Sequence, residues 1–391
     1  MEKEKRIPVI TGFGVICNLG KGKEEVKKNL YLGRESFGPV SNKGDFGLQN
    51  NYKVGLSDIK EPVIREKADY DKSEIMLRLT AKEACLDAGI DFFDFEQMKD
   101  RAAISLATSL MGSEHMINYE KDENKDSEWL LYSKAYAMRL AADWRVKGGV
   151  YTTSSACASG TAALGVAIDL IKEGECDLVL CGGTDHISEI SLNGFELLGT
   201  LSKDECKPFD EMRDGINIGE GSAFFVIEEY EHAKRRNAHI YGELRGYGLA
   251  NDAYHITSPD PDGVGALYSM EQAMMGESRD NVYVNAHGTG TQANDSMEIK
   301  AIENSFQGRT VYVSSTKALT GHCLGAAGSI ELAFCLFFLE EGRVPRTVHS
   351  ACDIEKKENI TLDFFDDFKV NRILSNSFAF GGNNASVFCV K

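Results

Sequence analysis

The chain has 391 residues, of which 42% are hydrophobic and 26% are charged, and its formal net charge is −17. This length suits two packed halves better than one hydrophobic core, and the composition is typical of a globular protein. The excess of negative charge argues against general binding to nucleic acid or to an anionic membrane. No segment approaches the roughly eighteen unbroken apolar residues of a membrane helix, and MEKEKRIPVITGFGVI lacks the order of a signal peptide.

Ten cysteines and eight histidines are scattered along the chain without the spacing of a disulfide framework or a metal site. No CxxC pair occurs, and no two histidines form an HExxH or HxxxH pair. Structural zinc and disulfides are therefore poorly supported. We expect a cytoplasmic protein with reduced thiols and no bound metal.

Short β-rich runs alternate with helical runs, which predicts α/β layers. The polar segment EEYEHAKRRNAH (228–239) separates two such series, so we predict one half at 1–235 and a second at 236–391. Residues 351–360 are typical of a solvated loop. In chain order, the predicted strands are 7–15, 102–109, 177–183, 223–230, 241–248, 281–288, 310–316 and 373–380, and the predicted helices are 73–89, 160–174, 295–306 and 328–342.

Two of the predicted helices resemble each other. GTAALGVAIDLIKEG begins at Gly160 and GSIELAFCLFFLEEG begins at Gly328, and each ends on a glycine at the same distance. Both are apolar on most faces, as expected of a helix buried between sheets. Cys157 precedes the first helix and His322 precedes the second. A duplicated α/β unit would bring these two side chains to one site.

Four glycine-flanked segments at strand ends carry the candidate reactive side chains Cys157, His287, Lys317 and His322. Each side chain has an ordinary alternative, which is a packing cysteine, a hydrogen-bonded histidine or a surface lysine. Their coincidence in small-residue loops favours a cysteine nucleophile, because a thiolate needs a nearby positive charge or helix N-terminus and an oxyanion needs donors. Ser154 and Ser155 are predicted to cap the helix that follows. The segments are SSACASG (154–160), VNAHGTGTQANDSME (284–298), SSTKALTGHCLGAAG (314–328) and NSFAFGGNNAS (376–386).

The chain resembles the elongating β-ketoacyl-acyl-carrier-protein synthases, the condensing enzymes of fatty-acid and type II polyketide synthesis, over essentially its whole length. The matching segments occur in family order: SSACASG, RDGINIGEG, EEYEHAKRRNAHIYGEL, NDAYHITSP, VNAHGTGTQANDSME, SSTKALTGHCLGAAGSIE and NSFAFGG. The resemblance implies the thiolase-like α/β fold, with two related halves packed as α-β-α-β-α layers. It also implies no cofactor, substrates carried on the phosphopantetheine of an acyl carrier protein, and a homodimer or a heterodimer with a second ketosynthase-like subunit.

The same resemblance implies a role for individual residues. Cys157 is expected to receive the acyl chain, and the backbone N–H groups of Cys157 and the gating Phe380, beside Gly381, are expected to form an oxyanion hole. His287 and His322 are similar to the histidine pair of the elongating branch. The remaining assignments are Lys317 with its partner Glu331, Thr289, Thr291 and Thr257 for the pantetheine arm, Leu110 and Met111 for the acyl chain, and Asp295 and Glu298 for structural support.

The chain departs from the family pattern at three places. The region from Leu110 to Tyr151 is shorter than in the usual pattern, and it contains LMGSEHM (110–116), where the family places acyl-pocket and dimer-contact residues. The loop AFGGNN replaces the commoner GFGGTN, so Ala379 is expected to restrict the hinge of Phe380. The segment IREKADYDKSE (64–74) offers Arg65 and Lys67 beside acidic residues where the family often carries a basic cluster for its acidic carrier, which predicts a different docking patch or a dedicated carrier.

Two other functions are alternatives to an active condensing enzyme. The chain could be a non-catalytic partner subunit that resembles a chain-length factor, or a thiolase that acts on coenzyme A. The presence of Cys157 argues against the first. The FAFGGNN loop argues against the second, because thiolases carry a second catalytic cysteine there. Whether the pathway makes fatty acids, polyketides or polyenes stays open.

Overall fold

A computed structural model describes residues 6–40, 48–60, 70–113, 116, 132–345, 347–348, 359–362 and 369–391. The strands are β1 Pro8–Cys17, β2 Gly20–Lys21, β3 Gly38–Val40, β4 Tyr52–Val54, β5 Ala102–Ala107, β6 Val150–Thr153, β7 Leu178–Asp185, β8 Gly221–Glu229, β9 Gly242–Asn251, β10 Val282–Asn285, β11 Val311–Ser314, β12 Ile360–Thr361, β13 Arg372–Ala379 and β14 Asn383–Val390. The α-helices are Lys23–Tyr31, Lys72–Ala88, Phe92–Met98, Ser133–Asp143, Ser159–Lys172, Glu189–Leu197, Tyr230–Arg235, Val264–Ala273, Gln292–Phe306, Lys317–Thr320 and Ala327–Glu341.

The main sheet is built from two halves with the same strand order. The first half runs β6-β5-β7-β8-β1 and the second runs β11-β10-β13-β14-β9, with β12 added outside β11. In each half the first two pairings are parallel and the last two are antiparallel. The halves join where β1 pairs with β9 over two residues, Val9 with Glu243 and Ile10 with Gly242. The predicted pair of related α/β halves is confirmed.

Two helices form the middle layer of the molecule. Ser159–Lys172, the first central helix, and Ala327–Glu341, the second central helix, pack against each other and against strands of both halves. Lys72–Ala88 and Ser133–Asp143 cover the outer face of the first half, and Val264–Ala273 covers that of the second. The layers therefore follow the predicted order α-β-α-β-α. Both faces of the sheets are covered, which explains why β1 and β8 are buried along their whole length.

The central helices cross at the two glycines that begin the repeated sequence segments. A Cβ atom on Gly160 would lie 2.7 Å from the backbone nitrogen of Ser329, and one on Gly328 would lie 2.3 Å from Oγ1 of Thr161. Only glycine lets the two backbones approach this closely. The crossing brings the loops that precede the two helices, with Cys157 and His322, to one site.

The structure differs from the sequence predictions mainly in short or exposed elements. The half-exposed edge strand β6 and several amphipathic helices were not predicted, and the segment predicted as a glycine loop continues into β14 after Gly382. The helix predicted from 295 begins at Gln292. The division after residue 235 stays a prediction, and it lies between the helix Tyr230–Arg235 and β9. Arg65 and Lys67 lie outside the described residues, as does most of the predicted loop 351–360.

Candidate active site

Cys157 lies on a sharp turn between β6 and the first central helix. The residue before it, Ala156, has φ 49°, in the left-handed region that residues other than glycine rarely adopt. Two hydroxyl groups hold this turn, because Oγ of Ser109 and Oγ of Ser159 donate to the Ala156 carbonyl at 3.0 and 2.6 Å. The turn places the thiol of Cys157 two residues before the helix, within the protein interior.

The predicted cap by Ser154 and Ser155 is wrong. The helix begins at Ser159, its N-cap residue is Ala158, and no side chain caps it. Oγ of Ser159 instead accepts a hydrogen bond from the backbone N–H of Ser155 at 2.8 Å. Ser155 therefore meets the first residue of the helix through its backbone N–H, and neither serine side chain accepts a hydrogen bond from the N–H groups at the helix start.

Asp185, which sequence reasoning missed, ties the turn that carries Cys157 to the loop that follows His322. Its carboxylate accepts hydrogen bonds from Oγ1 of Thr108 at 2.5 Å and from the backbone N–H groups of Ser109, Leu110 and Gly325 at 2.9, 3.0 and 2.7 Å. The Ser109 hydroxyl donates to the Ala156 carbonyl, so Asp185 also supports the turn that carries Cys157. Burial raises the pKa of Asp185. The signal in the sequence is a carboxylate at the end of an apolar strand, in DLVLCGGTD.

The two predicted catalytic histidines lie side by side. The ring centroids of His287 and His322 are 5.3 Å apart and their planes are nearly perpendicular. Nδ1 of His322 accepts a hydrogen bond from the backbone N–H of Leu324 at 3.0 Å, so Nε2 carries the proton of the neutral ring. Burial, and secondly the charge of Lys317, lowers the pKa of His322 to about 3 and that of His287 well below its usual value. Both rings are neutral hydrogen-bonding groups near pH 7.

Two buried carboxylates hold the His287 loop from the helix that follows it. The carboxylate of Glu298 accepts hydrogen bonds from the backbone N–H groups of His287 and Gly288, each at 2.8 Å. Asp295 accepts those of Thr289 and Gly290 at 3.0 and 3.2 Å. Burial raises the pKa of Glu298 to about 7. Both acids therefore hold the backbone of residues 287–290 through hydrogen bonds.

Lys317 is almost completely buried and, unlike the two histidines, does not line the active-site cavity. Its ammonium forms an ion pair with the buried carboxylate of Glu331, on the second central helix. Burial raises the pKa of Glu331, and the lysine opposes this shift. Lys317 acts on the site through its charge, which lowers the pKa values of Cys157, His287 and His322.

The thiol of Cys157 is protonated in the resting site, because burial raises its pKa to about 11. Three groups act in the opposite direction: the Lys317 ammonium and the backbone N–H groups of Cys157 and Phe380. The expected stabilisation of a thiolate near the helix N-terminus is therefore outweighed by burial. The two N–H groups beside the sulfur are the pair assigned to the oxyanion hole.

A cavity of about 260 Å³ joins these groups. Oγ1 of Thr289 and Oγ1 of Thr291 lie 2.9 Å apart on its wall, and the ring of Phe195 stacks on Phe380 with centroids 5.8 Å apart. The predicted site residues that line it are Cys157, His287, His322, Thr257, Thr289, Thr291 and Phe380.

Two residues assigned to the acyl chain do not line this cavity. Met111 is buried in the outer core of the first half, and the half-buried Leu110 packs against a different cluster. Their role stays a prediction, as does that of Gly381, which follows Phe380 with φ 80°. Among the described residues, no three histidine, cysteine or acidic side chains are grouped to hold a metal ion. In the same part of the chain, no helix is both long and apolar enough to cross a membrane.

The duplicated halves and a cysteine at the meeting point of two central helices define the thiolase-like class of acyl-transferring enzymes. Two family models match the chain, the β-ketoacyl synthase N-terminal domain over residues 5–233 and the C-terminal domain over residues 241–351. The chain therefore belongs to the β-ketoacyl synthase family.

Named relatives and solved structures agree with this assignment. The chain is 34% identical to 3-oxoacyl-[acyl-carrier-protein] synthase 2 of Staphylococcus aureus, covering 98% of both chains, and 32% identical to nodulation protein E of Rhizobium meliloti, covering 96% and 97%. A type II polyketide ketosynthase, solved with its acyl-carrier protein and a hexaketide, superimposes with a TM-score of 0.88 at 26% identity, covering 99% and 100%. The ishigamide ketosynthase/chain length factor gives 0.83 at 29% identity, with the same coverage.

Proposed function

We propose that this protein is a 3-oxoacyl-[acyl-carrier-protein] synthase that joins an acyl group held on Cys157 to a malonyl unit held on an acyl carrier protein. The observation that carries the proposal is the arrangement of one buried thiol, two neutral histidines and two backbone donors around one cavity. Its relatives in Staphylococcus aureus carry this name.

The first step transfers the acyl group to the enzyme. The sulfur of Cys157 attacks the carbonyl carbon of the acyl-carrier thioester, and the backbone N–H groups of Cys157 and Phe380 stabilise the negative oxygen that forms. The bond to the phosphopantetheine sulfur then breaks, and the proton of the Cys157 thiol ends on the departing pantetheine thiol. Thr257, Thr289 and Thr291 line the route that the pantetheine arm would follow.

The second step forms the new carbon–carbon bond. Malonyl carrier loses carbon dioxide, and the bonding electrons move into the thioester, whose oxygen becomes that of an enolate. The Nε2–H of His322, with His287 beside it, donates to this oxygen. The enolate carbon attacks the acyl group on Cys157, and the released sulfur takes up a proton, as expected of a thiol with a pKa of about 11.

The site favours this function over the non-catalytic partner subunit. Such a partner has no need of a nucleophile, whereas Cys157 is present on a strained turn that Ser109 and Asp185 support. Backbone strain of this kind is typical of functional positions.

The proposal is tested by incubating the protein with acyl carriers charged with short, medium and long chains and measuring its intact mass. We expect an adduct of the acyl mass that is absent from Cys157→Ala and retained in Cys176→Ala, which removes another buried cysteine outside the cavity. An adduct that survives Cys157→Ala, or the absence of any adduct, would contradict the proposal.

We further propose that the protein acts as a homodimer in the cytoplasm. Strand β6 lies at the edge of the main sheet, where a second copy could continue the hydrogen-bonding pattern. Nine cysteines among the described residues are unpaired, which suits a reducing compartment. Light scattering should give twice the chain mass of 43.0 kDa, and a stable monomer would contradict the homodimer.

A further inference from the structure

Three large apolar side chains are exposed around the mouth of the active-site cavity. Leu197, Met212 and Ile256 are 78%, 74% and 79% exposed. Large apolar side chains exposed on one part of a surface are a common mark of a region that another protein covers. We call these three residues the mouth patch.

Each member of the mouth patch is tied to the cavity wall through a neighbour. Leu197 lies between Phe195 and Leu198, and Ile256 lies next to Thr257, all of which line the cavity. The Ile256 carbonyl also accepts a hydrogen bond at 2.7 Å from the backbone N–H of Gly381, the residue that follows Phe380.

Met212 reaches the wall through Arg213. The guanidinium of Arg213 donates to the backbone carbonyl of Thr291, a lining residue, at 3.3 Å and to that of Gln292 at 3.2 Å. The mouth patch therefore lies next to residues that line, or hold in place, the wall of the cavity that contains Cys157.

The same surface carries little positive charge. The two segments that form it, 196–214 and 252–262, contain nine acidic residues and three basic ones. One of the three is Arg213, which is buried and donates to backbone carbonyls. The ammonium of Lys53, nearby on β4, already pairs with Asp204 and Glu205. An acidic partner would gain little attraction from charges at this mouth.

We propose that the acyl carrier protein docks on the mouth patch through apolar contacts with Leu197, Met212 and Ile256, with little contribution from ion pairs. This inference rests on the proposed function, because a substrate carried on a protein requires that protein to cover the cavity mouth. The solved complex of a ketosynthase with its acyl-carrier protein shows that such a partner binds a member of this fold. The carrier that fits would present an apolar face to this mouth.

The test compares two acyl donors. Acylation of Cys157 is measured with acyl carrier and with the acyl thioester of N-acetylcysteamine, which needs no docking. We expect Leu197→Ser and Ile256→Ser each to raise the KM for the carrier about tenfold and to leave the small thioester unaffected. Leu86→Ser and Met275→Ser are matched controls, because these side chains are 69% and 77% exposed and lie outside the mouth, and both should behave as the wild type.

Ionic strength gives a second measurement. Between about 0.05 and about 0.5 M NaCl, the wild-type kcat/KM for the carrier should stay constant or rise, because salt has few ion pairs to weaken here and also screens the repulsion between an acidic carrier and this acidic surface. A fall of more than about tenfold would overturn the proposal. The proposal would also be overturned if the KM for the carrier were unchanged in Leu197→Ser and Ile256→Ser, or if the rate of acylation by the small thioester fell as much as the rate with the carrier. A changed oligomeric mass of these variants would overturn it as well.

Failure of the proposed function would look different. If the wild-type protein takes no acyl group from the small thioester, the enzymatic role fails. Binding of a fluorescently labelled carrier to the wild type and to the same variants still decides the docking surface. Weaker binding of Leu197→Ser and Ile256→Ser would support it, and unchanged binding would overturn it.

Discussion

Replacing His322 by alanine should separate the two steps of the reaction. The imidazole is held in one tautomer because the backbone N–H of Leu324 donates to Nδ1 at 3.0 Å, which directs Nε2–H at the cavity. Acyl transfer to Cys157 uses the backbone N–H groups of Cys157 and Phe380 and does not require this donor. We therefore expect His322→Ala to keep acyl transfer and to lose decarboxylation of malonyl carrier.

The size of the loss follows from the state of the ring. With a pKa of about 3, the His322 ring is neutral at pH 7, so the donor is a neutral N–H. Removing one preorganised donor to a developing oxyanion costs about 2.7–4 kcal/mol, which is a decrease in rate of about 100- to 1,000-fold. His322→Gln, which can place an amide N–H near the same point, should recover part of the loss.

The assay measures release of labelled carbon dioxide from malonyl carrier and, separately, the mass adduct on Cys157. Because burial keeps His322 neutral down to about pH 3, the decarboxylation rate should show no decrease due to its protonation between about pH 5 and 8. Unchanged release in His322→Ala, or a decrease centred near pH 6.5 that disappears in His322→Gln, would refute this reasoning.

Three further changes test the supports of the site. Gly160→Ala should lower the free energy of unfolding by about 1–3 kcal/mol, because the new Cβ atom would lie 2.7 Å from the backbone nitrogen of Ser329. Gly194→Ala, on a helix where the new Cβ atom has open space, should raise it by about 0.5–1 kcal/mol. Urea unfolding that gives equal effects for the two variants would contradict the close crossing of the central helices. Lys317→Met removes a charge that lowers the pKa of Cys157, so the pKa of the thiol should rise above about 11. Alkylation of Cys157 by iodoacetamide near pH 9 should then be slower than in the wild type. Faster alkylation would show that Lys317 does not lower the pKa of this thiol. Asp185→Asn places an amide N–H donor against the backbone N–H groups of Ser109 and Gly325, so it should slow both acylation and decarboxylation. An effect on only one of the two steps would exclude the role of Asp185 as a support for both loops.

The long buried elements could be predicted from sequence because their patterns are strong. Strands β1, β7 and β8 each contain an apolar run and are buried along their whole length, and both central helices are apolar on most faces. The short strand β6 and the amphipathic helices on the outside of the molecule have weaker patterns of apolar residues, because one side of each of these elements faces solvent. The predicted serine cap is wrong for a different reason: the turn at Ala156 puts the backbone N–H of Ser155, and not a serine hydroxyl, against the first residue of the helix.

The sequence by itself determined the family, the two related halves and the candidate site residues Cys157, His287, Lys317 and His322, because these depend on residue types in ordered motifs. Only the tertiary structure decided their chemical state. Burial at the crossing of the central helices keeps the thiol protonated and the imidazoles neutral, and burial is a property of packing between distant segments. The bracing by Asp185 and the apolar mouth patch likewise arise from contacts between segments that are far apart in the chain.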